Sequence, residues 1–181
     1  NVAEDKQARL VNVYRHAADG GYAEQPRQTP RPTTRFNGGG GLNSTAGDYL
    51  RFLQMVLNGG ELGGVRILKP ETVALMEKNH IGAVGVRAVK SAQPELSADF
   101  TFVADGRDKW GIGFMITADA VPGKRSAGSL SWGGIDNTFF WADPVRGVAG
   151  VIMMQFLPFA DAKALGVYDM FERGVYQLGG R

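Results

Sequence analysis

An enzyme that works through an acylated serine needs a hydroxyl held beside a base. The serines of this 181-residue chain, from Ser44 to Ser131, meet none of the usual arrangements. Gly128-Ser129-Leu130-Ser131-Trp132-Gly133 misses the G-x-S-x-G elbow by one position: Ser129 stands where the first glycine belongs, and no histidine follows His80. No lysine lies three residues after any serine, so there is no S-x-x-K, and no Y-x-N triplet occurs. Cysteine is absent, which excludes a thiol nucleophile, disulfides and thiolate metal sites. His16 and His80 are far apart and no H-E-x-x-H occurs, so neither a metal nor another cofactor is expected.

Backbone groups are left as candidates for chemistry. In the stretch from Ser126 to Pro144, the pair Gly133-Gly134 interrupts two strand-like runs, Ser129 to Trp132 and Ile135 to Ala142. Within the second run Asn137, Phe139 and Trp141 alternate with Thr138, Phe140 and Ala142, the period of a strand. Glycine inside such a pattern marks either a plain bulge or turn, or a strand edge whose bare amides face a ligand.

The elements around this stretch fit one domain. With 44% hydrophobic and 21% charged residues the chain is ordinary globular material. A net charge of +2 without blocks of like charge gives no reason to expect a nucleic-acid partner. No apolar run is long enough to span a bilayer. The N-terminal NVAEDKQARL has no leader-like core, reads as the start of a piece cut from something longer, and leaves periplasmic, secreted and cytoplasmic placement equally open.

Residues 1–36 predict a hairpin around Asp19-Gly20-Gly21, then an extended surface segment from Gln25 to Arg35 with Pro26, Pro30 and Pro32. Residues 37–80 predict a glycine-rich loop and two helices. In the first helix Ser44 or Thr45 caps, Tyr49, Phe52, Leu53, Val56 and Leu57 share a face, and Asn58-Gly59-Gly60 stops the run. The second starts at Pro70 and places His80 near its C-terminal end, where capping outweighs catalysis. Without G-x-x-x-x-G-K-[ST], the four glycines Gly38 to Gly41 read as a flexible approach to a capped helix and not as a phosphate cradle.

Ile81 to Asp108 reads as a long loop or ragged hairpin, of the kind used for lids. Residues 108–181 predict sheet strands and a closing helix: a short strand at Trp110–Ile116, the glycine-interrupted pair, and a buried central strand at Val148–Phe156. The helix runs from Asp161 to about Leu178, with a stripe of Ala164, Tyr168, Phe171, Val175 and Leu178. The fold class that follows is α+β, an antiparallel sheet packed by helices.

The segment GGGGLNSTAGDYLRFLQMVLNGGELGGVRILKPETVALM, followed by WGIGF, SWGGIDNTFFWADP, VIMMQ and a closing helix, resembles the C-terminal half of the serine β-lactamase-like family. That family includes class C β-lactamases, penicillin-binding DD-peptidases and related esterases. The resemblance implies a partial fold of this type, lacking its N-terminal strands and most of the helical domain. It implies that Trp132, Gly133 and Gly134 stand at the family's third active-site motif and bind substrate, and that the Ile135 backbone N–H serves the oxyanion hole. It also implies that the nucleophile lies in the other half, so the chain alone is expected to be inactive. The parent would be a serine hydrolase of carboxylesterase or β-lactamase type acting on a small-molecule ester or lactam.

Where the family often has a cation, Trp132 offers an apolar wall and one N–H, which shifts the expectation toward neutral esters. Lys124 and Arg125 are the nearby candidates to restore positive charge. An uncovered sheet edge implies a partner, either the missing N-terminal half or a second copy. The alternative is a non-catalytic module that keeps the scaffold and binds a ligand beside Trp132.

Overall fold

The computed structural model describes residues 2–26, 38–103 and 105–179; most of the expected extended segment from Gln25 to Arg35 lies outside them. After a 3-10 turn at Glu4–Arg9 come β1 (Tyr14–His16) and β2 (Tyr22–Glu24), then α1 (Ala46–Leu57), β3 (Glu61–Leu62), β4 (Val65–Arg66) and α2 (Pro70–Met76). The second half holds β5 (Lys109–Trp110), β6 (Met115–Ile116), β7 (Leu130–Gly134), β8 (Thr138–Asp143), β9 (Val148–Met153), β10 (Phe156–Leu157) and α3 (Ala162–Leu178). This is an α+β fold.

Its centre is a five-stranded antiparallel sheet in the order β5-β6-β7-β8-β9, each strand beside its sequence neighbour. The alternation along β8 decides what covers each face. Phe140 and Ala142 join the cluster of Leu53 and Val56 from α1, Val73 from α2, and Phe114, Ile116 and Leu130. Phe139 and Trp141 point to the opposite face, where Tyr168 and Tyr176 of α3 cover them. Helices α1 and α3 start on side-chain caps: Thr45 Oγ1 accepts from Asp48 N at 3.2 Å, and Asp161 Oδ1 accepts from Lys163 N at 2.9 Å and Ala164 N at 3.2 Å.

Four local expectations need correction. Trp110–Ile116 is a hairpin, β5 with β6, because Gly113 turns at φ 83° and Gly111 lies against the Met76 carbonyl, where a Cβ would come to 2.0 Å. Val148–Phe156 is not a central strand. Its first part, β9, is the sheet's outer strand, apolar on both sides because Ala149 and Val151 pack in the α1 cluster while Val148 and Ile152 pack in the α3 cluster. Its end leaves the sheet as β10 and pairs in parallel with β1, itself hairpinned to β2.

The run expected to start at Ile135 begins as a strand only at Thr138, with Ile135 to Asn137 forming the turn. On α3 the buried row is Ala164, Tyr168, Glu172 and Tyr176; of the expected stripe Phe171 and Val175 are partly buried beside it, and Leu178 is 74% exposed.

Candidate functional site

Strand β7 sets the geometry. Thr117 N donates to Ser129 O and Asn137 N donates to Gly134 O. The odd-numbered backbone groups therefore address the β6 side and the even-numbered ones the β8 side. Pairing with β6 stops at Ser131, whereas pairing with β8 continues to Gly134. Gly133 and Ile135 thus direct their N–H groups at an edge that has lost its neighbour, and no backbone carbonyl among the described residues accepts from Ile135. The four candidate positions, Trp132 to Ile135, are consecutive along this edge and its turn, with Ile135 55% exposed.

The turn is held from below. Asn137 adopts φ 59° and is fully buried; its Nδ2 donates to Phe156 O and Pro158 O, both at 2.7 Å. Phe156 N donates to Asp136 O at 3.1 Å, so both sides of the tip are tied to β10 and the residues after it. The glycines have internal reasons as well. A Cβ on Gly133 would sit 2.8 Å from the Phe139 ring, and one on Gly134 would sit 2.4 Å from Thr138 Oγ1. Close packing by itself calls for glycine at Gly133, whereas at Gly134 the one close atom is a hydroxyl that can turn away.

Aromatic rings line the approach. Trp132 lies edge-on to Trp110 at 4.6 Å between centroids and 5.5 Å from Phe100. Beside it a cleft of about 720 Å³ runs between α3 and the loop before β7, with Ser131, Thr117, Met115 and Phe102 among its walls. Ser131 Oγ is buried with no hydrogen-bond partner among the described residues, so no base stands ready to activate it.

Lys124 and Arg125 are not free to receive a substrate anion, which corrects the expectation for them. Arg125 is buried, with Nε 2.7 Å from Glu172 Oε1 and NH2 2.8 Å from Glu172 Oε2; NH2 also donates to the Tyr168 hydroxyl. Its guanidinium lies 5.8 Å and 5.5 Å from the ring centres of Trp141 and Tyr168. Lys124 Nζ reaches Asp169 at 2.9 Å and Glu172 at 3.2 Å. Burial pushes the Glu172 carboxyl up, but the hydrogen bonds and charge of Arg125, with Lys124, bring it below its ordinary value. Burial likewise pushes the Tyr168 phenol up, to about 12.

A second buried carboxylate, Asp143, accepts from Ser126 N at 2.9 Å, from Val145 N and Arg146 N at 3.0 Å each, and from the Tyr176 hydroxyl at 2.9 Å. Burial raises its carboxyl and these bonds more than reverse that. Glu172 and Asp143 together fix the segment leading into β7. The available sequence signal was a charge at four-residue spacing between Tyr168 and Tyr176, facing the Lys124-Arg125 pair. His80 Nε2 donates to Leu75 O at 2.7 Å, a helix-end contact. No group of three potential metal ligands occurs among the described residues.

Known proteins resemble this chain. The chain is 32% identical over 164 residues to Protein Rv1367c of Mycobacterium tuberculosis, covering 87% of this chain and 39% of that protein. It is 26% identical over 144 residues to monacolin J acid methylbutanoyltransferase of Aspergillus terreus, covering 77% and 34% respectively. Unliganded simvastatin synthase (LovD) of Aspergillus terreus superposes with a TM-score of 0.72 at 22% identity, over 99% of this chain and 44% of that one. EstCE1, a hydrolase with promiscuous acyltransferase activity, gives 0.55 at 20% identity, over 93% and 44%. The chain thus spans 34–44% of the length of these relatives. The Beta-lactamase family matches residues 1–171, nearly the whole sequence, and the chain belongs to that family.

Proposed function

We propose that this chain supplies the substrate-binding edge of a serine acyl-transfer site, whose nucleophile is carried by a part of the protein outside residues 1–181. The observation that carries the proposal is the open β7 edge, where Trp132 to Ile135 present bare backbone and an aromatic wall in a member of this family.

In the reaction, the seryl oxygen from the other segment adds to the carbonyl of a neutral ester. The carbonyl oxygen takes up negative charge against the Ile135 N–H, a donor whose removal costs roughly 3 kcal/mol of transition-state stabilisation in other enzymes. The bond to the leaving alcohol breaks, the alcohol departs with the proton passed on by the base, and an acyl-serine remains. Water then adds to that ester, releasing the acid and restoring the serine. An acceptor alcohol in place of water gives acyl transfer, the activity for which two relatives are named. The outer edge of β9, distinct from the β7 edge that takes the substrate, is covered by the nucleophile-bearing segment or by a second copy.

A serine-directed fluorophosphonate tests this reading. The 181-residue chain should remain unlabelled, while the protein that also contains the family's N-terminal half should be labelled on one serine outside these residues. Labelling of Ser131, or of any serine within the chain, contradicts it.

A further inference from the structure

We propose that the strap of residues 86–103 determines which substrates the site accepts, with Phe100 as the specificity-determining residue for an apolar, uncharged group of the ester; this rests on the function proposed above. The strap had the composition of a loose loop, yet it is tied along its length. Val86 N donates to Asp108 O and Gly106 N to Val86 O, both at 2.8 Å. Val89 and Phe100 exchange hydrogen bonds as an antiparallel bridge, and Ala98 N donates to Phe159 O while Phe159 N donates to Leu96 O. Phe100 is therefore fixed from both sides.

Its ring lies beside Trp132, whose other neighbour is Trp110, and all three are only partly buried next to the bare β7 edge. Large rings with apolar faces left open beside unspent backbone donors have the make-up of a ligand wall: much apolar surface and a few placed polar groups. Three of the nearby cations are paired with carboxylates and a fourth is held by a backbone carbonyl. Lys124 and Arg125 bind Glu172, Arg107 pairs with Asp119 at 3.0 Å, and Lys109 Nζ donates to Val84 O at 3.0 Å. A carboxylate placed against these rings would give up water for apolar surface, and Lys124, Arg125 and Arg107 already have carboxylate partners.

Tryptophan fluorescence of the 181-residue chain reads this directly, because Trp141 is fully buried and Trp110 and Trp132 report on the wall. The probes are phenyl butyl ketone, an uncharged counterpart of an ester without a leaving group, and its ω-carboxylate analogue. The ketone should quench saturably, the carboxylate should bind about tenfold more weakly, and Phe100→Ala should raise the ketone Kd by about tenfold. Phe100→Leu should stay within about twofold of wild type and Phe100→Arg should turn the preference toward the carboxylate, which a merely structural role would not do.

Absence of saturable quenching, indifference to Phe100 substitution, or equal binding of both probes overturns the proposal. Since binding needs no nucleophile, failure of phosphonate labelling in the longer protein would count against the proposed function and leave this result standing.

Discussion

Glu172→Ala should be among the most damaging single changes in the chain, although Glu172 is a charged residue on a helix with solvent-facing positions. Its carboxylate is fully buried and receives Arg125 Nε at 2.7 Å, Arg125 NH2 at 2.8 Å and Arg125 N at 3.2 Å. Truncation leaves the Arg125 guanidinium among Trp141 and Tyr168 with no counter-charge at its fork. Removing one partner of a buried pair costs about 3–5 kcal/mol. At about 2–4 °C per kcal/mol for a chain of this size, Tm should fall by roughly 6–20 °C.

The exposed pair Arg66–Glu61, 2.7 Å apart with both side chains more than 40% exposed, provides the control. Glu61→Ala should cost under about 1 kcal/mol. The double variant Arg125→Met with Glu172→Leu removes both charges and should recover most of the loss, to within about 2 kcal/mol of wild type. Denaturant melts of the four proteins decide the matter. A Glu172→Ala loss no larger than that of Glu61→Ala, or a double variant no more stable than Glu172→Ala, refutes the reasoning.

Acid should expose the same carboxylates. Glu172, Asp143 and Asp161 are each brought below their ordinary values, burial opposing and hydrogen bonds prevailing. A carboxyl depressed on folding adds stability that is present above its unfolded value, near pH 4, and lost as pH falls through the lower folded value. Tm should be flat from about pH 7 to 5 and drop below about pH 4; a decline already between pH 7 and 6 would assign the dependence to other groups. Asn137→Ala removes two hydrogen bonds from a buried turn at positive φ and should cost about 2–4 kcal/mol by chemical melt. Unchanged stability would mean that β10 does not depend on this side chain.

The sequence shows elements whose ends are marked locally. α1 is legible because Thr45 caps it and Gly59 and Gly60, at φ 64° and 95°, stop it; α3 is legible from Asp161 and its periodic face. Glu172 was not legible as a core residue because its burial depends on Arg125, 47 positions away. The outer position of β9 was hidden because helices cover both its faces, which gives an edge strand the composition of a central one. The β7 edge was half legible: Gly133-Gly134 marked it, but only the pairing register tells which amides point outward and where β6 stops.

The most direct test of the account is to replace the Ile135 amide by an ester in the full-length protein, which deletes one N–H and leaves the side chain in place. Acylation by a neutral ester should slow by about 10²–10³-fold, with KM and Tm little changed. An acylation rate within about twofold of wild type would show that the β7 edge does not hold the oxyanion, and the assignment of Trp132 to Ile135 to the site would fall with it.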